Sequence, residues 1–194
     1  MALTQVDGGL IASGQTITSP TLSSPVTAGT PTGVGVLTSG TAVASTSGTS
    51  IDFTSIPSWV KRITVMLNAV STNSTSAVQI QIGSSTFSTS GYQSNASHGA
   101  ANGTQYVYAT SGFVLDPSGS VGSAASRSGA ITLSLIGSNT WVGSGAVGSG
   151  STYLITNAVG GVSPALSGTL DRVRITTVNG TDTFDAGSIN ILYE

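Results

Sequence analysis

The fold class is decided by residues 172–184, which read Arg-Val-Arg-Ile-Thr-Thr-Val-Asn-Gly-Thr-Asp-Thr-Phe. Val173 and Ile175 alternate with Arg and Thr residues, and this period of two is expected of a half-buried β-strand. Asn179-Gly180 follows directly. Asn-Gly between alternating segments predicts a β-hairpin, because a type I′ turn needs positive φ at both central positions. The stretch therefore predicts antiparallel β-structure.

The same alternation recurs in five further runs of the chain. Their apolar members are Ile51 and Phe53; Ile63, Val65, Leu67 and Ala69; Val78, Ile80 and Ile82; Ile131, Leu133 and Leu135; and Ile189, Ile191 and Tyr193. No segment has an amphipathic helical period with caps. Stretches rich in Gly, Ser and Ala at 91–104, 118–130 and 143–150 predict long surface loops, where recognition residues commonly lie. Residues 39–194 are thus predicted to form an all-β, antiparallel β-sandwich of jelly-roll-like type.

Residues 1–38 differ in texture from the rest of the chain. Pro20, Pro25 and Pro31 exclude a helix there and favour an extended segment. Such a segment buries too little apolar surface to order itself. Its apolar residues make sense if three chains wind together or if the segment docks on a partner. A plain flexible linker is the alternative.

The composition excludes several classes of function. The chain has 5 Lys and Arg residues against 7 Asp and Glu, so only 6% of it is charged, whereas soluble proteins average roughly 25%. Without a basic cluster we expect neither nucleic-acid binding nor attachment to a membrane surface. Without an apolar stretch of about 20 residues we expect no membrane insertion. There is no cysteine, and the N-terminus lacks the features of a secretory signal. We therefore expect assembly in a cytoplasm, with apolar surface buried in a homo-oligomer.

Signals of catalysis are weak. His98 is the only histidine, and a hydrolase would need it between a carboxylate and a nucleophilic Ser. A glycosidase would need two carboxylates flanking a sugar bond, but Asp52, Asp116, Asp171, Asp182 and Asp185 are better explained by turns and local ion pairs. Their spacing also matches no calcium loop. We predict no catalytic residue, no metal and no cofactor.

Neutral polar residues interleaved with aromatics suit a glycan receptor. Sugar rings have apolar faces that stack on aromatic rings, while amides and hydroxyls bond the sugar hydroxyls. Tyr106 and Tyr108 share one strand face and are the strongest recognition candidates. Half-buried core aromatics are the alternative, above all for Trp141. The full set of predicted receptor contacts is Tyr92, His98, Tyr106, Tyr108, Trp141 and Tyr153.

Two longer runs resemble a known family. Residues 36–65, from Val36 through Ile51-Asp-Phe-Thr-Ser-Ile-Pro-Ser-Trp-Val-Lys-Arg-Ile-Thr-Val65, resemble the opening of a C-terminal β-sandwich domain of tailed-phage tail-fibre proteins. Residues 166–194 resemble the closing hairpin of that domain. The resemblance implies a homotrimeric sandwich at a fibre tip, joined to the virion by its N-terminal segment. The apolar residues then expected to attach to tail or baseplate proteins are Leu3, Val6, Leu10, Ile11 and Ile17.

These observations predict a non-enzymatic virion protein, a tail-fibre subunit that binds a host surface polysaccharide. A capsid decoration or head-fibre protein is one alternative, and a free carbohydrate-binding or depolymerising module is another. In a trimer of so few charges, ion pairs between subunits would set the register at modest energy. The residues predicted to form them are Lys61, Arg62, Asp171, Arg172, Arg174 and Glu194.

Overall fold

The computed structural model describes residues 37–100, 103–117, 125–151 and 155–194, and all regular secondary structure within these ranges is β-strand. The predicted attachment residues Leu3, Val6, Leu10, Ile11 and Ile17, together with Tyr153, lie outside them. The strands are β1 (Thr38–Ser39), β2 (Val43–Ala44), β3 (Ser50–Thr54), β4 (Arg62–Thr72), β5 (Val78–Ser84), β6 (Thr86–Phe87), β7 (Gln93–Ala100), β8 (Gly103–Ala109), β9 (Phe113–Val114), β10 (Ser126–Gly137), β11 (Thr140–Gly150), β12 (Ile155–Val162), β13 (Arg172–Thr177) and β14 (Phe184–Tyr193).

The strands form two antiparallel sheets that pack together, so the predicted β-sandwich is confirmed. The large sheet has nine strands in the order β1-β14-β4-β10-β11-β12-β7-β8, with β2 also paired to β14. The small sheet has five strands in the order β3-β13-β5-β6, with β9 also paired to β5. Strand β8 therefore forms one edge of the large sheet.

One hydrophobic core fills the space between the sheets. It is built largely by the alternating positions identified in the sequence, since each strand turns every second side chain to the same face. Ala69 is an exception: it is exposed with a φ of 51°, and the alternation of β4 shifts there so that Val70 is buried. Removing this apolar surface from water is the main favourable term in folding. The fully buried members from both sheets include Ile63, Val65, Ile80, Ile82, Ile131, Leu133, Val173 and Ile175.

The predicted Asn179-Gly180 hairpin is wrong. Strand β13 belongs to the small sheet and β14 to the large sheet, so the turn between them crosses from one sheet to the other. Only Gly180 has positive φ, at 70°, whereas a type I′ turn requires it at both positions. The Asn179 side chain instead accepts the backbone N–H groups of Thr181 and Asp182. The position of a turn was identified correctly, but neither its type nor the pairing of the flanking strands was.

Two of the three predicted loops are wrong, and the third is strand in most of its described part. Strands β7 and β8 occupy most of residues 91–104, and β11 spans all of 143–150. Strand β10 begins at Ser126 within the 118–130 stretch, of which residues 118–124 lie outside the described part of the chain. Small residues serve close packing there. A Cβ added at Gly143 would lie 2.8 Å from the Phe113 ring, and one added at Gly145 would lie 2.3 Å from the Ala130 carbonyl oxygen. Glycine at these positions lets neighbouring backbone and core side chains approach closely.

Candidate functional site

The most exposed aromatic pair in the described part of the chain lies on β8. The side chains of Tyr106 and Tyr108 are 64% and 74% exposed. They stand two residues apart on one strand and therefore project from the same face. Their ring centroids are 5.5 Å apart, with an angle of 59° between the ring planes. The sequence prediction that these two tyrosines share an accessible face is thus confirmed, although they lie on a strand at the sheet edge.

A shallow basin of about 620 Å³ lies beside Tyr108 on the outer face of the large sheet. It is formed by the first half of β7, the end of β8 and the C-terminal half of β12. None of the described residues that line the basin carries a charge. The lining residues are Tyr92, Gln93, Ser94, Asn95, Tyr108, Ala109, Thr110, Gly160 and Gly161.

Strand register explains why the basin is open. Asn95 on β7 pairs with Tyr108 on one side and with Gly160 on the other. The three residues therefore form a row across the sheet, and Gly160 contributes no side chain to it. A Cβ added at Gly160 would meet only Asn95 Oδ1, at 3.6 Å. Glycine at this position keeps the surface opposite Tyr108 low.

The chemistry of this site favours an uncharged, hydroxylated ring. The Tyr108 ring supplies an apolar face, while Gln93, Asn95 and Thr110 supply amide and hydroxyl groups that both donate and accept hydrogen bonds. An apolar surface with a few polar groups that fix orientation is the usual composition of a small-molecule site. The titratable side chains among the described lining residues are Tyr92 and Tyr108.

Three of the predicted receptor contacts are wrong, because their side chains belong to the core. Tyr92, His98 and Trp141 are all buried. The Tyr92 hydroxyl accepts the Ile82 N–H at 2.9 Å, and burial raises the pKa of Tyr92 to about 12. Although Tyr92 lines the basin, its hydroxyl is therefore not free to bind a ligand. Its ring packs edge-on against Phe113, with 5.3 Å between the ring centroids.

His98 belongs to a buried polar network. Its Nδ1 lies 2.8 Å from Asn157 Oδ1. The Asn157 Nδ2 group donates to the Val147 carbonyl at 2.9 Å and to Ser149 Oγ at 2.7 Å, which leaves Oδ1 as the acceptor. His98 Nδ1 consequently carries the proton in this bond. The residue has a structural role, and the predicted contact of His98 with ligand or solvent in a loop does not occur.

Sequence reasoning missed a buried ion pair. Arg127 Nε lies 2.7 Å from Asp116 Oδ2, and the two side chains are 1% and 0% exposed. Burial raises the pKa of the Asp116 carboxyl above its ordinary value, and the neighbouring Arg127 opposes this shift. Arg127 Nη2 is buried without a hydrogen-bond partner. Arg127 stands in a stretch that reads as a loop, and the only signal was its isolation among small neutral residues.

Five of the six residues predicted to make ion pairs between subunits have oppositely charged partners within the chain, Lys61 being the exception among the ion pairs of the described residues. Arg62 pairs with Glu194, and Arg172 pairs with Asp171 at 2.7 Å. Arg174 pairs at 2.7 Å with Asp52, a partner the sequence did not suggest. Lys61 is exposed next to Arg62. Because these charges are already neutralised locally, pairing between subunits stays a prediction without support from the geometry.

The carboxylates considered for glycosidase chemistry are spread over the molecule. Asp116 is in the buried pair, Asp52 and Asp171 bind arginines, and Asp185 accepts a hydrogen bond from Ser71. Asp182 accepts the Ser76 N–H at 3.1 Å. In the described ranges no three His, Asp or Glu side chains come together as a metal site would require.

The described residues contain no helix of the length and hydropathy needed to cross a membrane. Comparison with protein-family models, with curated proteins and with solved structures finds no match to this chain.

Proposed function

We propose that this chain is a non-enzymatic tail-fibre subunit of a phage virion, which attaches to a host-cell surface glycan through the basin beside Tyr108. The observation that carries the proposal is the pair of exposed tyrosines, Tyr106 and Tyr108, beside a basin without charge. A globular surface of this polarity has little reason to keep two large rings in water. Placement on a virion rests on the resemblance of residues 36–65 and 166–194 to a tail-fibre domain.

Attachment by such a site works through many weak contacts. One open basin buries only part of a sugar, so its affinity is low. A homotrimer carries three basins, and several fibres on one particle multiply them. Linked sites convert later binding events into intramolecular ones, so avidity exceeds the single-site affinity by about 10²–10⁴ without any new contact. Residues 1–38 are the segment proposed to join the virion and to support the trimer.

The test is binding of the purified full-length chain to host cells and to polysaccharide extracted from them. Tyr108→Ala removes the stacking ring, and Gly160→Val fills the basin. We expect each to weaken binding about tenfold or more, as loss of about 1.4 kcal/mol implies. Gly99→Ala is the matched control, because it lies on β7 and an added Cβ there meets no atom within 4 Å.

Wild-type affinity for both variants would refute the proposed site. Release of reducing ends from the polysaccharide would show that the chain is a depolymerase and would refute a purely binding function.

The position on the virion needs a separate measurement. Antibody labelling of intact particles is expected to mark the tail. Label on the capsid would instead establish the head-fibre or decoration alternative. Light scattering of the purified chain is expected to give the mass of a trimer, and a stable monomer would refute that part of the proposal.

A further inference from the structure

We infer that the receptor glycan is a neutral polysaccharide and that the site holds two consecutive sugar units, one against each tyrosine. This inference rests on the proposed function and names the ligand class of the same site. Three features carry it: the geometry of the two rings, the absence of charge, and the missing side chain at Gly160.

The two tyrosine rings act as separate platforms. A planar sugar face lying flat on one ring cannot lie flat on the other, because the ring planes are inclined by 59°. The ring centroids are 5.5 Å apart, a distance comparable to the length of one pyranose unit. Consecutive units of one chain therefore meet Tyr108 and Tyr106 in turn, along the direction of β8.

The rest of the site favours the unit against Tyr108. Asn95 pairs with Tyr108, whereas Ser97 pairs with Tyr106. The longer amide of Asn95 reaches further above the sheet than the Ser97 hydroxyl, and the basin opens only beside Tyr108. The unit on Tyr108 is thus held by stacking, by hydrogen bonds and by the basin. The unit on Tyr106 gains stacking alone.

Electrostatics exclude an acidic sugar. A carboxylate moved from water onto an uncharged surface loses hydration, and only a cation or several N–H donors compensate for that loss. The chain has only 5 Lys and Arg residues. Arg127 is buried with Asp116, while Arg172 and Arg174 are paired on the small sheet. None of these guanidinium groups lines the basin.

The two remaining cations are also remote from the basin. Arg62 opens β4, and Lys61 precedes it. Strand β4 is separated from β12 by β10 and β11. Neighbouring strands lie about 4.8 Å apart, so this places β4 roughly 14 Å from the strand that carries Gly160. An acidic sugar in the basin would therefore have no cation to pair with.

Gly160 determines how deep the unit on Tyr108 lies. Its backbone has no positive φ, so any residue is conformationally permitted there. The only atom that an added Cβ would meet is Asn95 Oδ1, at 3.6 Å. The fold accepts a side chain at this position, and the consequence of having none is space for a ligand.

The experiment measures binding of the full-length chain to immobilised oligosaccharides of one to four units. Neutral hexose oligomers are compared with oligomers of the same length that contain uronic or sialic acid. We expect neutral oligomers to bind about tenfold more tightly than acidic ones. We also expect a gain of about tenfold between one and two units, and little beyond.

Variants separate the two platforms. Tyr106→Ala is expected to abolish the gain between one and two units, so that its affinity for two units equals its affinity for one. Tyr108→Ala is expected to weaken both. Tyr106→Phe, which keeps the ring, should retain the gain, and Gly99→Ala should behave as wild type. Thermal melting of each variant identifies any loss of binding that comes from unfolding.

The outcomes distinguish this inference from the function on which it rests. Binding of glycans with a preference for acidic oligomers, or no gain from the second unit, overturns the inference and leaves attachment to a glycan intact. Absence of binding to every oligosaccharide and to host polysaccharide overturns both. Binding to host cells that persists after periodate oxidation of their surface glycan assigns the site to a protein receptor. That result also overturns both the inference and the proposed function.

Discussion

The buried pair of Asp116 and Arg127 makes a prediction that tests the fold directly. In Arg127→Met, the carboxylate of Asp116 remains in the core without its counter-ion. Arg127 Nε lies 2.7 Å from Asp116 Oδ2, and the two side chains are 1% and 0% exposed. Removing one partner of a buried pair leaves an uncompensated charge and costs about 3–5 kcal/mol. We expect the free energy of unfolding at pH 7 to fall by that amount.

A second substitution should partly restore stability. Asp116 Oδ1 accepts the Val78 N–H at 3.0 Å, and an Asn side chain at 116 keeps an oxygen for this bond. Asp116→Asn in the Arg127→Met background removes the buried charge. It leaves only a neutral amide, whose unmet hydrogen bonds cost about 1–3 kcal/mol. We therefore expect the double variant to be more stable than Arg127→Met alone.

The pH dependence of Arg127→Met provides a further check. Burial raises the pKa of Asp116 above its ordinary value, and the loss of Arg127 removes the main opposing influence. A carboxyl whose folded pKa exceeds its unfolded pKa binds protons more readily in the folded state. Its stabilising contribution is thus present below the unfolded pKa of about 3.9 and is lost as the pH rises through the folded pKa. The deficit relative to wild type should shrink toward acid pH.

The assay is urea denaturation followed by tryptophan fluorescence, since Trp141 is buried and becomes exposed on unfolding. The midpoint and slope give the free energy of unfolding for each variant. A loss below about 1 kcal/mol in Arg127→Met would mean that the guanidinium is solvated, as expected of a surface pair. A double variant that is no more stable than Arg127→Met alone would equally refute the buried pair.

Three further predictions follow from the packing. Tyr92→Phe should remove a decline in stability between pH 10 and 12, because the wild-type Tyr92 pKa is raised to about 12. The stabilising contribution of Tyr92 is present below pH 10 and is lost as the pH rises through 12, a loss on the order of a few kcal/mol in urea denaturation. Gly161→Ala should destabilise by about 1–3 kcal/mol, since its Cβ would lie 2.6 Å from a carbonyl oxygen, whereas Gly160→Ala should be neutral; equal melting temperatures would contradict this register. Arg174→Ala should cost about 1 kcal/mol, because its ion pair with Asp52 is half-exposed; a loss above about 3 kcal/mol would indicate a buried pair.

Prediction from the sequence succeeded where the alternation of residues along a single strand indicates which face is buried. Ile63, Val65 and Leu67 occupy every second position of β4 because one face of that strand is buried, and all three lie in the core. Tyr106 and Tyr108 share a face for the same reason. Prediction failed where a residue type is required by the packing of neighbouring strands. Glycine-rich β10 and β11 read as loops, although their glycines accommodate the side chains and backbone of neighbouring strands.

The sequence by itself determined the fold class, the scarcity of charged residues and the fact that Tyr106 and Tyr108 share one face of a strand. These follow from residue type and from the period of two along a single strand, which are local properties. Only the tertiary structure decided that Tyr92, His98 and Trp141 are buried, that Asp116 pairs with Arg127, and that Gly160 faces Asn95 and leaves a basin. Each of these depends on which distant strand lies alongside, and strand pairing is set by packing of the whole sandwich.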